Sequence, residues 1–271
     1  VALTPGARAA GSDGFTPLFN GKDLAGWKGD PRLWKAADGA IVGSTDGVKI
    51  EKNTFLFYET KQFSDFVLRA KVKLRNHNSG IQFRSEQRPD FVAAGYQADV
   101  AEKTYYGMLY EEQKRGIMDY WKAMPPEKQA ETQTWVKQGD WNDYEITCQG
   151  DRVKMVLNGH VTCEIDDPTG AKSGFIALQL HAGPDMLVSY KDIEIKELPK
   201  KEARLAPGLL MPDVDADRTQ KLGVEGARYR LPEGFTIEEV ASHELIGSVI
   251  NMTFDHLGRP LVATESEGVR L

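Results

Sequence analysis

The chain has 271 residues, 41% of them hydrophobic and 27% charged, with a net charge of −6, which is length for one large β domain or two ordinary globular domains. The acidic balance, with no basic stripe, argues against a nucleic-acid partner, whose binding rests on neutralised phosphates. No apolar run approaches the ~20 residues of a membrane span.

Residues 1–13 are small and rich in Gly and Ala, and read as a flexible leader. The opening Val1-Ala2-Leu3, without Met, fits a processed export signal and a trimmed chain alike. Order is expected from Gly14, where Phe15, Leu18, Phe19, Leu24 and Trp27 anchor an Asn20-Gly21 turn. Short strands are predicted at 33–36 and 40–43 and a longer one at 63–74, with an aromatic-rich run at 53–58 between them. In the last, Phe66, Leu68, Ala70, Val72 and Leu74 share one face and Arg69, Lys71 and Lys73 the other, the pattern of a strand buried on one side.

Two alternating stretches follow. Ile81 and Phe83 are interleaved with Gln82 and Arg84; Tyr96, Ala98 and Val100 are interleaved with Gln97 and Asp99. Successive strand residues point to opposite faces. Each stretch therefore sends one row to a core and a polar row of Gln, Arg, Gln and Asp to the other side. Such side chains make directional hydrogen bonds, and both a solvated face and a ligand site fit that pattern.

Residues 101–138 are a polar insertion bearing Tyr105, Tyr106, Tyr110, Glu111 and Arg115, with a Pro125-Pro126 break and a helical turn expected near 127–132. Tyr105, Tyr106 and Tyr110 suit stacking on a sugar ring or stapling of the loop; Arg115 suits a ligand hydrogen bond or a solvated charge. Strands resume at 141–148, at 153–157 and 160–165 around an Asn158-Gly159 hairpin turn, and at 174–181 and 188–198. In 174–181, Gln179 and His181 alternate with Ile176, Leu178 and Leu180. Trp27, Trp34 and Trp141 are expected in the core. Cys148 and Cys163 fall on the first and third strands of a meander, about 9–10 Å apart, so buried free thiols are expected rather than a disulfide. No ligand cluster has recognisable metal spacing, though a structural Ca²⁺ in a loop stays open. Residues 199–230 read as a linker. Three more strands are predicted at 231–241, 249–255 and 260–265, like the first blade of a larger repeat.

Many short strands with turns between them, and little helix, predict an all-β sandwich. The segments 18–27, 78–84, 95–100, Trp141-Asn142-Asp143-Tyr144, Leu157-Asn158-Gly159 and 176–181 occur in an order that resembles the 3-keto-disaccharide hydrolase domain family over 14–198. That resemblance implies a concanavalin/LamG-like jelly-roll, a secreted or periplasmic setting, and action on oxidised sugars in a concave sheet groove. The segment after 231 resembles the opening of a sugar dehydrogenase-like β-propeller. Many members of the resembled family carry Glu where this chain has Gln97. The expected chemistry is removal of the C2 proton of a 3-keto-glycoside by Asp99, Glu111 or His181. Gln82, Arg84, Gln97, Gln179, Tyr110 and Arg115 are the expected substrate-binding groups, and no cofactor is expected. The alternative is a carbohydrate-binding module that serves an attached propeller.

Overall fold

The computed structural model describes residues 13–199 and the strand segments 220–221, 228–229, 249–254, 260–264 and 268–270. The expected leader at 1–12, most of the linker and the strand expected at 231–241 lie outside the described residues. The chain divides into two compact units, Val1–Glu202 and Ala203–Leu271.

In the first unit the strands run β1 (Thr16–Pro17), β2 (Trp27–Lys28), β3 (Trp34–Ala37), β4 (Ala40–Ser44), β5 (Thr54–Tyr58), β6 (Phe66–Leu74), β7 (Asn78–Arg88), β8 (Val92–Ala101), β9 (Leu109–Glu112) and β10 (Gly116–Ile117). Two short helices, α1 (Asp119–Lys122) and α2 (Pro126–Thr134), occupy the insertion. After them come β11 (Asn142–Gln149), β12 (Arg152–Leu157), β13 (His160–Asp166), β14 (Phe175–Leu180) and β15 (Leu187–Glu197). Two antiparallel sheets result. The first has the order β13-β12-β11-β6-β15-β4-β3, with β1 also on β15; the second has the order β10-β9-β8-β7-β14-β5-β2. This is the jelly-roll sandwich that the sequence predicts.

The core forms where the alternating apolar rows meet. Phe66, Leu68, Ala70, Val72 and Leu74 of β6 are buried against a layer that includes Ile81, Phe83, Tyr96, Ala98, Ile176 and Leu178 of the second sheet. Asn158 and Gly159 both have positive φ, 50° and 86°, as a two-residue type I′ hairpin turn requires. Cys148 on β11 and Cys163 on β13 are free and buried with β12 between them, and burial pushes both thiols up to about 12.

The reverse face of the first sheet is solvated. Arg69–Glu145 (2.9 Å) and Lys71–Asp143 (2.5 Å) pair across it. Trp27 and Trp34 are buried, but Trp141 corrects the expectation. β11 turns Asn142, Tyr144, Ile146 and Cys148 inward, so position 141 faces outward. There Lys73 and Lys191 lie 5.1 and 4.2 Å from the Trp141 ring centre.

The second sheet is buried on both faces over most of β5, β7, β8 and β14. The cause is a bend in the β7–β8 hairpin. The ladder slips between Phe83 and Glu86, where Arg84 has φ 46° and Gly95, on the facing strand, φ 148°. The hairpin end thereby folds towards β5, where Phe55, Phe57, Ala93 and Ala177 form a small separate apolar cluster. Lys52–Asp90 (3.0 Å) and a Gln87-to-Glu59 hydrogen bond (2.8 Å) pin it. Half of this outer face is thus closed by apolar packing; the polar residues gather at the opposite end.

In the second unit, β16 (Gln220–Lys221) pairs with β17 (Arg228–Tyr229), and β18 (Val249–Phe254), β19 (Pro260–Thr264) and β20 (Gly268–Arg270) form a three-stranded antiparallel sheet. No helix among the described residues is long and apolar enough to cross a membrane.

Candidate functional site

A pocket of about 190 Å³ opens where β5 and β7 begin and β8 and β14 run out. Its wall carries Gln97 and Asp99 from β8, Tyr110 and Glu112 from β9, and Gln179 and His181 from β14 and the residue just beyond it. Asn53 and Asn78, which stand at the starts of β5 and β7, complete it, with Tyr105 and Met108 of the insertion at the side. A larger trough of about 760 Å³ crosses the first sheet near Phe15, Arg69, Lys71, Asp143 and Glu145. Arg69 and Lys71 there are already paired with Glu145 and Asp143, so the smaller pocket holds the unspent chemistry.

Asp99 is its centre. The backbone around it is fixed: Asp99 N–H donates to Met108 O (2.9 Å), and its carbonyl accepts from Gly107 N–H (3.0 Å) and the Tyr144 hydroxyl (2.5 Å). The side chain is buried among polar partners, and no Lys or Arg is among the described residues that line the pocket. Burial pushes the carboxyl up to about 7, against the donors of Asn78, Val100 and Gln97; the negative field of Glu112 adds to the rise. Asp99 can therefore take or give a proton near neutral pH.

Two acceptors beside it lack partners. Gln179 is fully buried; its Nε2 donates to Glu112 Oε2 (3.2 Å), but among the described residues neither its Oε1 nor Asn78 Oδ1 has a hydrogen-bond partner. Buried acceptors in this state suit a ligand or water that brings O–H donors. His181 donates from Nδ1 to Ala182 O (2.6 Å), and His77 reaches the same carbonyl from Nε2 (3.2 Å), with the two rings edge to face at 4.8 Å. No three His, Cys, Asp or Glu among the described residues stand close enough together to hold a metal ion.

Of the residues expected on one polar face, Gln97, Asp99, Gln179 and His181 line this pocket, and Tyr110 of the insertion joins them. Gln82 lies behind Gln97 on the same face, fully buried, and donates to it at 2.7 Å. Three expectations change. Glu111 stands opposite Tyr96 in the ladder while Tyr110 stands opposite Gln97, so Glu112, not Glu111, shares the pocket face. Glu111 instead accepts from Arg115, which also holds Asp167 at 2.6 Å. Burial alone would raise the Asp167 carboxyl, but Arg115, the Tyr96 hydroxyl and Thr169 hold it well below the usual range. Arg115 and Glu111 are thus a clamp between the insertion and the β13–β14 loop. Arg84 leaves the row at the bulge: its buried guanidinium donates to Ser64 O, Gly150 O and Ala171 O and pairs with Asp65 at 2.9 Å. Of the insertion tyrosines, Tyr106 is a staple stacked on Tyr144, whereas Tyr105 is exposed at the pocket. Arg115→Ala is therefore expected to leave pocket ligand affinity within about twofold, measured by calorimetry, since it removes no pocket group. Asn53, Asn78 and Glu112 are the site residues that the sequence reading omits; for Glu112 the usable signal was its even spacing from Tyr110.

Residues 14–196 match the 3-keto-alpha-glucoside-1,2-lyase-like domain. No curated protein matches the sequence significantly. Among solved structures, a candidate glycosyl hydrolase from Parabacteroides distasonis ATCC 8503 is 21% identical with a TM-score of 0.51, over 69% of this chain and 96% of that one. The carbohydrate-binding module CBM66 from Bacillus subtilis is 15% identical with a TM-score of 0.47, over 64% of this chain and 96% of its own. The Parabacteroides structure shares the fold.

Proposed function

We infer a function from one premise: the chain belongs to the 3-keto-alpha-glucoside-1,2-lyase-like domain family through residues 14–196. The reading is a carbohydrate-active lyase and hydratase that acts on 3-keto-glycosides. The observation that carries it is Asp99, a buried carboxyl brought to about 7 in a pocket whose free acceptors await hydroxyl groups.

A C3 ketone acidifies the neighbouring C2–H bond. In this reading the Asp99 carboxylate takes the C2 proton, and the electron pair moves into an enolate at C2–C3. Tyr110 is the neutral hydroxyl donor available to the enolate oxygen: burial raises its phenol, so it keeps its proton at neutral pH. Collapse of the enolate expels the C1 oxygen, which takes a proton and leaves as an alcohol. Water then adds at C1 of the resulting unsaturated ketone and a proton returns to C2, giving net hydrolysis. Glu112 and His181 are the other groups placed to move protons. The alternative, a carbohydrate-binding module without turnover, draws on Gln97, an amide where the family resemblance implies a carboxylate. A secreted or periplasmic setting and a C-terminal propeller belong to the same proposal.

Incubation with 3-keto-glycosides and their unoxidised parents separates the readings. Release of the aglycone from the keto sugar alone, with a transient unsaturated ketone seen by absorbance and mass, is the expected result. Binding of both sugars with turnover of neither would overturn the enzyme reading.

A further inference from the structure

We propose that Ser85, Gln82 and Gln97 form a one-way hydrogen-bond relay that aims an amide N–H at the Asp99 carboxyl. Ser85 and Gln82 then act as positioning residues. The inference deepens the reading of Asp99 as the base and rests on it.

Each link has a direction. Ser85 Oγ–H donates to Gln82 Oε1 at 2.7 Å, its shortest contact; the carbonyls of Phe83 (3.0 Å) and Tyr96 (3.2 Å) are farther. With its oxygen so engaged, Gln82 donates from Nε2 to Gln97 Oε1 at 2.7 Å. Gln97 then has only Nε2 left to face Asp99 Oδ1, at 3.4 Å. A half-turn of the Gln97 amide would set NH₂ against NH₂ at Gln82 and oxygen against carboxylate at Asp99. The relay disfavours it, because a half-turn of Gln97 alone leaves buried amide groups unpaired and sets an oxygen against the ionised carboxylate.

Two glycines shape the space. Gly80 stands opposite Asp99 in the ladder, and a methyl group there would strike the Gln97 amide. Gly95 has φ 148°, and a methyl group on it would come within 2.6 Å of Ser85 Oγ. The relay is a polar thread beside the apolar packing of Phe55, Phe57, Ala93 and Ala177, and it ends on Asp99 at the centre of the pocket. Apolar residues would fill the same volume without its desolvation cost.

The consequence is that the side chain next to Asp99 on β8 gives it a donor and not a second carboxyl. An N–H aimed at Asp99 favours its ionised form, whereas a Glu at 97 would set a second carboxyl against it and split the titration. The other groups that act on Asp99 are Glu112 from β9, the donor Asn78 from β7 and the backbone N–H of Val100 on β8 itself. The hydroxyls of Tyr110 (β9), Tyr120 (α1), Tyr144 (β11) and Tyr190 (β15) all feel its charge, and His181 stands at the same pocket.

The test uses the full chain and two readouts: the Asp99 titration by carbon NMR of labelled carboxyls, and the pH profile of kcat/KM on a 3-keto-glycoside. Ser85→Ala and Gln82→Met are expected to raise both midpoints by about half to one pH unit, the worth of one hydrogen bond. Gly80→Ala, which displaces Gln97 but keeps its amide, is expected to move them the same way. Gln97→Glu should give two titration steps. An unmoved Asp99 midpoint in folded Ser85→Ala and Gln82→Met would overturn the relay, even if the parent chain turns over keto sugars. A moved NMR midpoint in a chain that turns over nothing would keep the relay and overturn the enzyme reading.

Discussion

Asp99→Asn is expected to lower turnover of a 3-keto-glycoside by about a hundred- to ten-thousand-fold and at the same time to make the protein more stable at pH 8. The two effects have one origin. The carboxyl lies at about 7 in the folded chain, against 3.8 as its ordinary value, because burial disfavours the charge. The folded state therefore holds the proton more tightly than the unfolded state does. As pH rises from about 4 to 7, the unfolded chain gives up this proton first and gains on the folded one. Above 7 the full cost of the buried charge is present, on the order of a few kcal/mol. Asn removes the charge and with it the cost. Thermal melts should show the variant ahead of the parent at pH 8, with the gain vanishing towards pH 4. A variant melting below the parent at pH 8, or one with full turnover, would remove Asp99 from the role of strained catalytic base.

Which parts of this site the sequence could reveal follows from which parts are local. Gln97 and Asp99 belong to one strand, so period-two spacing put them on one face without knowledge of the rest. The even spacing from Tyr110 to Glu112 held the same information. Choosing Glu111 required the wrong parity, and only the pairing of Gln97 with Tyr110 across β8 and β9 makes the error visible. Arg84 was unreadable for another reason. Spacing assumes an unbroken strand, and the slip after Phe83 turns the next side chain off the face. Nothing in Phe83-Arg84-Ser85 announces that slip; the nearest sign is Gly95, twelve residues on and across the hairpin. Asn53 reaches the pocket because β5 happens to flank β14, a long-range pairing that no local pattern contains. The sandwich itself was legible because rows such as Phe66 to Leu74 state their own burial.

Arg84→Met is expected to destabilise the first unit by about 3–5 kcal/mol while leaving the pocket chemistry of the surviving folded molecules intact. The guanidinium is almost fully buried and makes four contacts at once: the carbonyls of Ser64, Gly150 and Ala171, and the Asp65 carboxylate. These groups come from the segment before β6, the β11–β12 turn and the β13–β14 loop, so one side chain ties three chain segments to the bend of β7. Asp65 Oδ1 also accepts from Gly150 N–H at 3.0 Å, which fixes the carboxylate for the ion pair. Met can match much of the volume but none of the donors, and it leaves carbonyls and a carboxylate with less than burial demands. Lys supplies one compact charge in place of a planar fork, so Arg84→Lys should recover only part of the loss. Urea unfolding of both variants measures the cost, and kcat/KM corrected for the folded fraction measures the chemistry. A groove arginine would show the opposite pattern, with unchanged stability and a raised KM. Arg84 lies with Asp65 and away from the pocket residues, and that is why stability is the quantity expected to move.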